Sequence, residues 1–164
     1  MKEHKSKISL VIYFVFLLVS IVWVSMILLA PYLYSRGGSD AGFGSYIYLF
    51  FSATCHQIDS RSFTLFGFKL AVCSRCTIIY VSFLLSVILY PLIRNLNEVK
   101  IPGIWVLLIP AAIVALDAIL DFTGIFPNSF LSRSITGFLL GFVLPLFLIP
   151  GFINLFRGLF KILD

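Results

Sequence analysis

The strongest constraint in this sequence is a set of four apolar segments, each long enough to cross a lipid bilayer. They cover residues 9–32, 70–93, 102–122 and 131–156, and about 20 residues of helix span the roughly 30 Å of hydrocarbon. Of the 164 residues, 60% are hydrophobic and only 12% are charged. A soluble fold of this length could not bury that much apolar surface, so lipid must be the solvent of these segments. In lipid, only helices and closed barrels satisfy all of their own backbone hydrogen bonds.

The sequence therefore predicts an all-α, polytopic membrane protein whose residues 1–164 form a single membrane domain with four transmembrane helices. Gly, Pro and Asn residues between the apolar segments are typical of turns. A further apolar stretch, at about residues 45–55, is too short to span. We expect it to be a re-entrant or interfacial helix that delivers Cys55 and His56 near the membrane surface.

The N-terminal end resembles a signal peptide, because the basic leader is followed by an apolar run that begins at Ile8. The apolar core of a signal peptide has only about 7–15 residues, so we interpret this longer run as an uncleaved first span. In this topology seven of the twelve Lys and Arg residues lie on the side of the termini and five on the other. With the densest group at the N-terminus, the positive-inside rule favours a multi-pass protein of the cell membrane with both termini cytoplasmic. The cysteine and histidine residues are then at the outer face.

The basic residues lie singly or in small groups at the ends of the apolar runs and form no patch. This is the distribution of membrane anchors, which makes lipid the expected partner. Nucleic acid is excluded as a partner, since binding it requires clustered contacts to phosphates.

All three cysteines and one of the two histidines lie within 22 positions, as Cys55, His56, Cys73 and Cys76. Cys73 and Cys76 are three residues apart at the start of the second span, so on a helix they share a face. The helix N-terminus and the intervening Arg75 favour the thiolate form that metals bind. Three cysteines and one histidine are a usual ligand set of tetrahedral zinc. We therefore predict a zinc site on these four residues, with His56 either a ligand or a proton carrier beside the metal.

Two other interpretations of the cysteines stay open. The pair Cys73–Cys76 could be the active disulfide of a membrane thiol-disulfide oxidoreductase, with Cys55 as the shuttle, by fold-level analogy to quinone-linked enzymes. The cysteines could also be a structural staple in a non-catalytic membrane subunit or small transporter. Three thiols cannot all pair in disulfides, which favours the metal.

Asp117 and Asp121 lie four residues apart on one face of the third span. A charged carboxylate inside a span costs about 2.5–3.5 kcal/mol on insertion scales and needs a partner or a function. The nearest partner along the chain is Arg133, so the structural interpretation is an Asp117–Arg133 ion pair. The functional interpretation makes Asp117, Asp121 or His56 the catalytic ligand or proton carrier beside the cysteines.

Three arginines near the same end of the predicted bundle, Arg61, Arg75 and Arg133, could hold an anion such as a lipid headgroup. The guanidinium group binds phosphate through two parallel hydrogen bonds. The alternative is that these long side chains only extend to the membrane interface.

Gly137 and Gly141 form a G-x-x-x-G pattern in the fourth span. Small residues at this spacing allow another helix to approach closely. We therefore expect a helix–helix contact at this face of the span.

Taken together, these residues resemble a family of small prokaryotic membrane proteins, the domain-of-unknown-function family number twenty eighty-five. The segments that carry the resemblance cover roughly residues 50–145 and read "CHQ", "RSF", "VCSRCTIIY", and "LD" followed by "NSFLSRSITGFLLG". The matching positions are Cys55, His56, Arg61, Ser62, Phe63, Gly67, Cys73, Arg75, Cys76, Tyr80, Asp117, Arg133, Thr136 and Gly137. Ile78, Ala118 and Asp121 depart from the family pattern. The resemblance implies a shared site at one end of the bundle and no assigned reaction.

Overall fold

The computed structural model describes the backbone of residues 2–97 and 99–163 and the side chains of residues 6–97 and 99–159. The terminal residues Met1 and Asp164 of the predicted domain lie outside this described part. The helices are α1 (Lys2–Arg36), α2 (Gly38–Ser52), α3 (Ser74–Ile93), α4 (Trp105–Phe122) and α5 (Phe130–Leu163). A hairpin of two short strands, β1 (Thr64–Leu65) and β2 (Phe68–Lys69), lies between α2 and α3.

Four of the described helices, α1, α3, α4 and α5, are long and apolar enough to cross a membrane. The predicted all-α, polytopic fold with four spans is therefore confirmed. Both α1 and α5 extend several residues beyond the apolar segments that predicted them, because polar residues at a helix end can remain helical outside the hydrocarbon.

Residues 35–44 contain several of the glycines that are typical of turns, but the structure has only a short break there, and most of the segment is helical. Only Gly37, with φ +73°, separates α1 from α2, because α2 begins at Gly38. Gly44 lies inside α2, and a Cβ at this position would be 3.0 Å from the carbonyl oxygen of Ala30. The glycine there serves close packing of α2 on α1.

The helix α2 runs antiparallel to the last part of α1. The ring of Tyr48 lies 5.9 Å from that of Tyr34, while Phe51, further along α2, lies 5.2 Å from Trp23, further back in α1. The end of α2 is therefore directed back towards the middle of α1, and the loop that follows it begins at that level.

The second span begins at Ser74, four residues later than the apolar pattern indicated. The preceding residues Leu70, Ala71 and Val72 are buried but not helical. The backbone N–H of Leu70 donates to the carbonyl of Phe63 at 2.8 Å, which continues the strand pairing. These residues pack in a buried cluster with Ile27 and Ala30 of α1 and Phe51 of α2, which accounts for their apolar character.

The most extensive helix contact in the described fold joins α3 to α5. A Cβ on Gly137 would lie 2.8 Å from the carbonyl oxygen of Arg75, and a Cβ on Gly141 would collide with the carbonyl oxygen of Ile79 and the hydroxyl of Ser82. The helix–helix contact expected at Gly137 and Gly141 is therefore made within this chain, and the helix that packs there is α3.

At the other end of the bundle, α1, α3 and α5 share a core. Its buried members are Ile12, Tyr13, Val87, Tyr90, Ile149 and Ile153. The guanidinium of Arg157 in α5 donates to the hydroxyl of Ser9 in α1 at 2.7 Å. The beginning of α1 and the end of α5 consequently lie side by side.

The helix α4 is peripheral. It packs on α5 and has no buried residue, although its mean hydropathy of 2.1 is close to the value of 2.2 for α3 and α5. An apolar helix with so little protein cover is stable only when lipid covers its remaining faces.

We expect Gly141→Ala to lower the free energy of unfolding by about 1–3 kcal/mol, because the new methyl group overpacks a contact with rigid backbone. Gly151→Ala is the matched control in the same helix, since no atom lies within 4 Å of the added Cβ. It should be neutral or stabilise by up to about 1 kcal/mol through helix propensity. Denaturant unfolding of the purified protein in detergent measures both, and equal stability of the two variants would contradict the close α3–α5 contact.

Candidate metal centre

Three sulfur atoms converge where α2 ends and α3 begins. Cys55 follows the last turn of α2, Cys73 is the residue that caps α3, and Cys76 lies in the first turn of α3. Their Sγ atoms all lie within 4.8 Å of one another, and all three are free thiols. The structure thus brings together three of the four ligands predicted from the sequence, and we call these three residues the sulfur cluster.

The polypeptide around Cys55 is held at both sides. Its backbone N–H donates to the carbonyl of Phe51 at 3.0 Å, which ends α2 with an additional turn. Its sulfur accepts the backbone N–H of Cys73 at 3.1 Å. Cys55 is only 9% exposed, so its sulfur is fixed by the fold before any ligand binds.

The pKa of the Cys55 thiol is lowered well below its ordinary value. The largest cause is the hydrogen bond that the Cys73 thiol donates to the Cys55 sulfur, followed by the one from Cys76. Burial opposes the shift, whereas the backbone N–H groups of Cys73 and Gln57 add to it. The fold therefore stabilises a thiolate at Cys55, the form that binds a metal.

An aromatic wall covers the sulfur cluster on the side of α1. Phe51 is fully buried and packs against the ring of Trp23. Trp23 in turn packs against Tyr80, one turn after Cys76, with ring centroids 5.6 Å apart. These rings exclude water from one side of the sulfurs, which strengthens electrostatic interactions there.

His56 has an exposed side chain, and it is not a member of the group of metal-ligating atoms found among the described residues. The backbone reverses directly after it, because Gln57 has a left-handed conformation with φ +50°. The structure therefore places His56 next to Cys55 in the chain but outside the group of close ligand atoms.

Gln57 is the residue of this site that sequence reasoning missed. Its side-chain amide donates to the carbonyl of Tyr48 at 2.6 Å and to the carbonyl of Ala71 at 2.8 Å. Its own carbonyl accepts the ammonium of Lys69 at 2.7 Å. The available signal was its position directly after the cysteine–histidine pair.

Asp117 does not pair with Arg133, so that expectation was wrong. Its carboxylate forms an ion pair with Arg75 and also accepts the hydroxyls of Ser132 at 3.2 Å and Thr136 at 3.3 Å. Arg75 reaches Asp117 from α3. Arg133 instead pairs with Asp121, which lies one turn closer to the C-terminal end of α4.

Asp121, the second aspartate of α4, pairs with two arginines. Its carboxylate accepts Arg61 of the loop at 2.8 Å and Arg133 of α5 at 3.0 Å. The backbone N–H of Asn128 also donates to it at 3.1 Å. The three arginines considered for an external anion are thus each paired with an aspartate, and an anion would have to compete with these carboxylates.

The two carboxylates of α4 therefore connect three other parts of the chain, namely the loop, α3 and α5. We call this set, Arg61, Arg75, Asp117, Asp121 and Arg133, the charge latch. Because α4 has no buried residue, the charge latch is a large part of what fixes the position of its end.

Comparison with known proteins covers this whole region. The family described as "Predicted membrane protein (DUF2085)" matches residues 55–160, a range that contains the sulfur cluster and the charge latch. An uncharacterized protein of Methanocaldococcus jannaschii, MJ1492, is 36% identical over 154 residues, which cover 91% of this chain and 98% of that relative. No solved structure matches this chain.

We expect Asp117→Asn to lower the free energy of unfolding by about 3 kcal/mol, because it leaves the largely buried Arg75 charge without its counter-ion. The matched control is Asp40→Asn, which breaks the exposed pair with Arg36 and should cost at most about 0.5 kcal/mol. Arg75→Gln in the Asp117→Asn background should recover part of the loss, since the unpaired charge is then gone. Denaturant unfolding in detergent measures all four proteins. Similar stabilities of Asp117→Asn and Asp40→Asn would show that the ion pair is unimportant.

Proposed function

The chain belongs to the DUF2085 family of predicted membrane proteins, and we propose that its sulfur cluster binds a metal ion, zinc, at one end of the bundle. The observation that carries the proposal is the separation of the three sulfur atoms, at most 4.8 Å from one another. Tetrahedral zinc with Zn–S bonds of about 2.3 Å holds sulfurs about 3.8 Å apart. Movements of about 1 Å or less are therefore sufficient to form the site.

The donor chemistry supports a borderline or soft metal. Thiolates select ions such as zinc, whereas magnesium and calcium require oxygen ligands. The lowered pKa of Cys55 favours a thiolate at this residue, and Cys73 and Cys76 lie next to it at the N-terminus of α3. The lowered pKa of Cys55 reduces the cost of deprotonating this ligand when a metal binds.

For the fourth ligand we propose His56, the histidine adjacent to the cluster. Its side chain is exposed, so it is free of the packing that would prevent it from turning towards the sulfurs. If a water molecule occupies the fourth position instead, the site has the open coordination that catalytic zinc sites use. In either case Asp117 and Asp121 support the site through the arginines that they bind.

The proposed role of the metal is to fasten the loop between α2 and α3 onto the bundle. Cys55 stands before this loop, and Cys73 and Cys76 stand after it. A metal that joins the two ends removes conformational freedom from the whole loop when it binds.

Purified protein should contain about one equivalent of zinc by elemental analysis. Cys55→Ser and Cys76→Ser should each reduce the bound zinc several-fold, because each removes one of the few strong ligands. His56→Ala should keep binding but with about 10- to 100-fold weaker affinity in a chelator competition, whereas His4→Ala, at the only other histidine of the chain, should bind as the parent does.

Two results would change this proposal. A metal-free protein with a reducible Cys73–Cys76 disulfide would replace it with thiol–disulfide exchange. Unchanged affinity in His56→Ala would leave a three-cysteine site whose fourth position is open to water.

We also propose that both termini are cytoplasmic and that the sulfur cluster is at the outer face. The basis is the group of lysines at the N-terminus, since positively charged ends are retained inside. A reporter enzyme that is active only in the periplasm or cell exterior should be inactive when fused to either terminus. Fused within the hairpin turn at Phe66–Gly67, which is exposed, it should be active, and the opposite pattern would invert the topology.

A further inference from the structure

We propose that Gln57 is a positioning residue, which holds Cys55 against the N-terminal end of α3 and thereby sets the geometry of the sulfur cluster. This inference deepens the proposed function, and its metal-binding arm rests on that function. A second test, the geometric arm, measures only how close the cysteines are in the metal-free protein.

The first observation is the backbone conformation of Gln57. It has φ +50°, and Phe66 is the only other non-glycine residue with positive φ among the described residues. Phe66 forms the two-residue turn of the hairpin together with Gly67, a position that requires positive φ. Gln57 lies in no such turn. Its left-handed conformation is unfavourable for a residue with a Cβ, so the surrounding contacts must impose it.

The second observation is the use of both N–H groups of the side-chain amide. One donates to the carbonyl of Tyr48 in α2 at 2.6 Å, and the other to the carbonyl of Ala71 at 2.8 Å. Ala71 is two residues before Cys73, and Tyr48 is seven residues before Cys55. The amide therefore bridges the two segments that carry the cysteines, and among side chains of this size only glutamine supplies two donors at this length.

The third observation is that the backbone of Gln57 also connects it to the segment before α3. Its carbonyl accepts the ammonium of Lys69 in β2 at 2.7 Å, and Lys69 also pairs with Asp59 at 2.6 Å. The contact between the Cys73 N–H and the Cys55 sulfur, at 3.1 Å, lies at the centre of this arrangement.

These contacts explain how a loop of short, weakly structured segments can hold three sulfurs together. Groups that orient metal ligands without touching the metal typically change its affinity by about 10- to 100-fold. We expect the same range here, because loss of the amide lets the segment before Cys73 move away from Cys55.

The geometric arm uses metal-free protein and a bifunctional reagent, dibromobimane, which becomes fluorescent when it links two neighbouring thiols. In the Cys76→Ser background only Cys55 and Cys73 remain. Adding Gln57→Glu replaces both amide donors with a carboxylate that faces two carbonyl oxygens, and we expect crosslinking to become about tenfold slower. The matched control is Asn154→Asp, which loses an amide hydrogen bond to the carbonyl of Val99 at 3.1 Å and should crosslink at the parental rate.

The metal arm uses the full chain with all three cysteines and titrates cobalt(II) against a chelator. The sulfur-to-cobalt absorption band reports ligation, and Gln57→Glu should weaken binding by about 10- to 100-fold. Gln57→Gly removes the unfavourable backbone conformation but also the amide, so it should fail in the same way. If circular dichroism and gel filtration show that Gln57→Glu does not fold, Gln57→Gly replaces it in both tests.

The outcomes separate the two proposals. Parental crosslinking rates and parental cobalt affinity in both Gln57 variants would overturn the role of Gln57. If the unmodified chain binds no metal while crosslinking still depends on Gln57, the positioning role stands and the metal site alone is wrong.

Discussion

The close contact between α3 and α5 is the interaction on which the rest of the structure depends. Gly137 and Gly141 let the backbone of α3 lie directly against α5, and without a hydrophobic driving force in lipid such packing is what holds helices together. The contact places Arg75, in the first turn of α3, level with Thr136 and the beginning of α5. From this position Arg75 reaches Asp117 on the peripheral helix α4. The sulfur cluster lies beside Arg75, since Cys73 and Cys76 are in the same part of α3.

The first turn of α3 belongs to two systems at once. Cys73 and Cys76 direct their sulfurs towards Cys55, while Arg75 between them pairs with Asp117. The charge latch contains three arginines and two aspartates, a net charge of +1. Three thiolates and a divalent metal, as proposed for the sulfur cluster, would have a net charge of −1, which would balance the charge of the charge latch.

The length of α3 matches the thickness of a bilayer. The 20 residues of α3 span about 30 Å, the thickness of the hydrocarbon. The sulfur cluster lies at the N-terminal end of this candidate span, and α2 and the hairpin precede it in the chain. The proposed metal would fasten the end of α2 to the start of α3, and Gln57 connects the same two parts through its hydrogen bonds to Tyr48 and Ala71.

The sequence by itself determined the four spans and the clustering of the three cysteines. Hydropathy over 20 residues reflects a transfer free energy that depends on composition and not on neighbours, and cysteines that flank one loop are brought together by any helical hairpin. Only the tertiary structure decided that Asp117 pairs with Arg75 and Asp121 with Arg61 and Arg133, because a pairing depends on the level and rotation of helices that are distant in sequence. The same is true of Gln57, whose two acceptors lie 9 and 14 positions away, and of Gly44, whose role as a packing surface exists only against α1. Local patterns record what each segment can do, whereas these contacts depend on where the other segments lie.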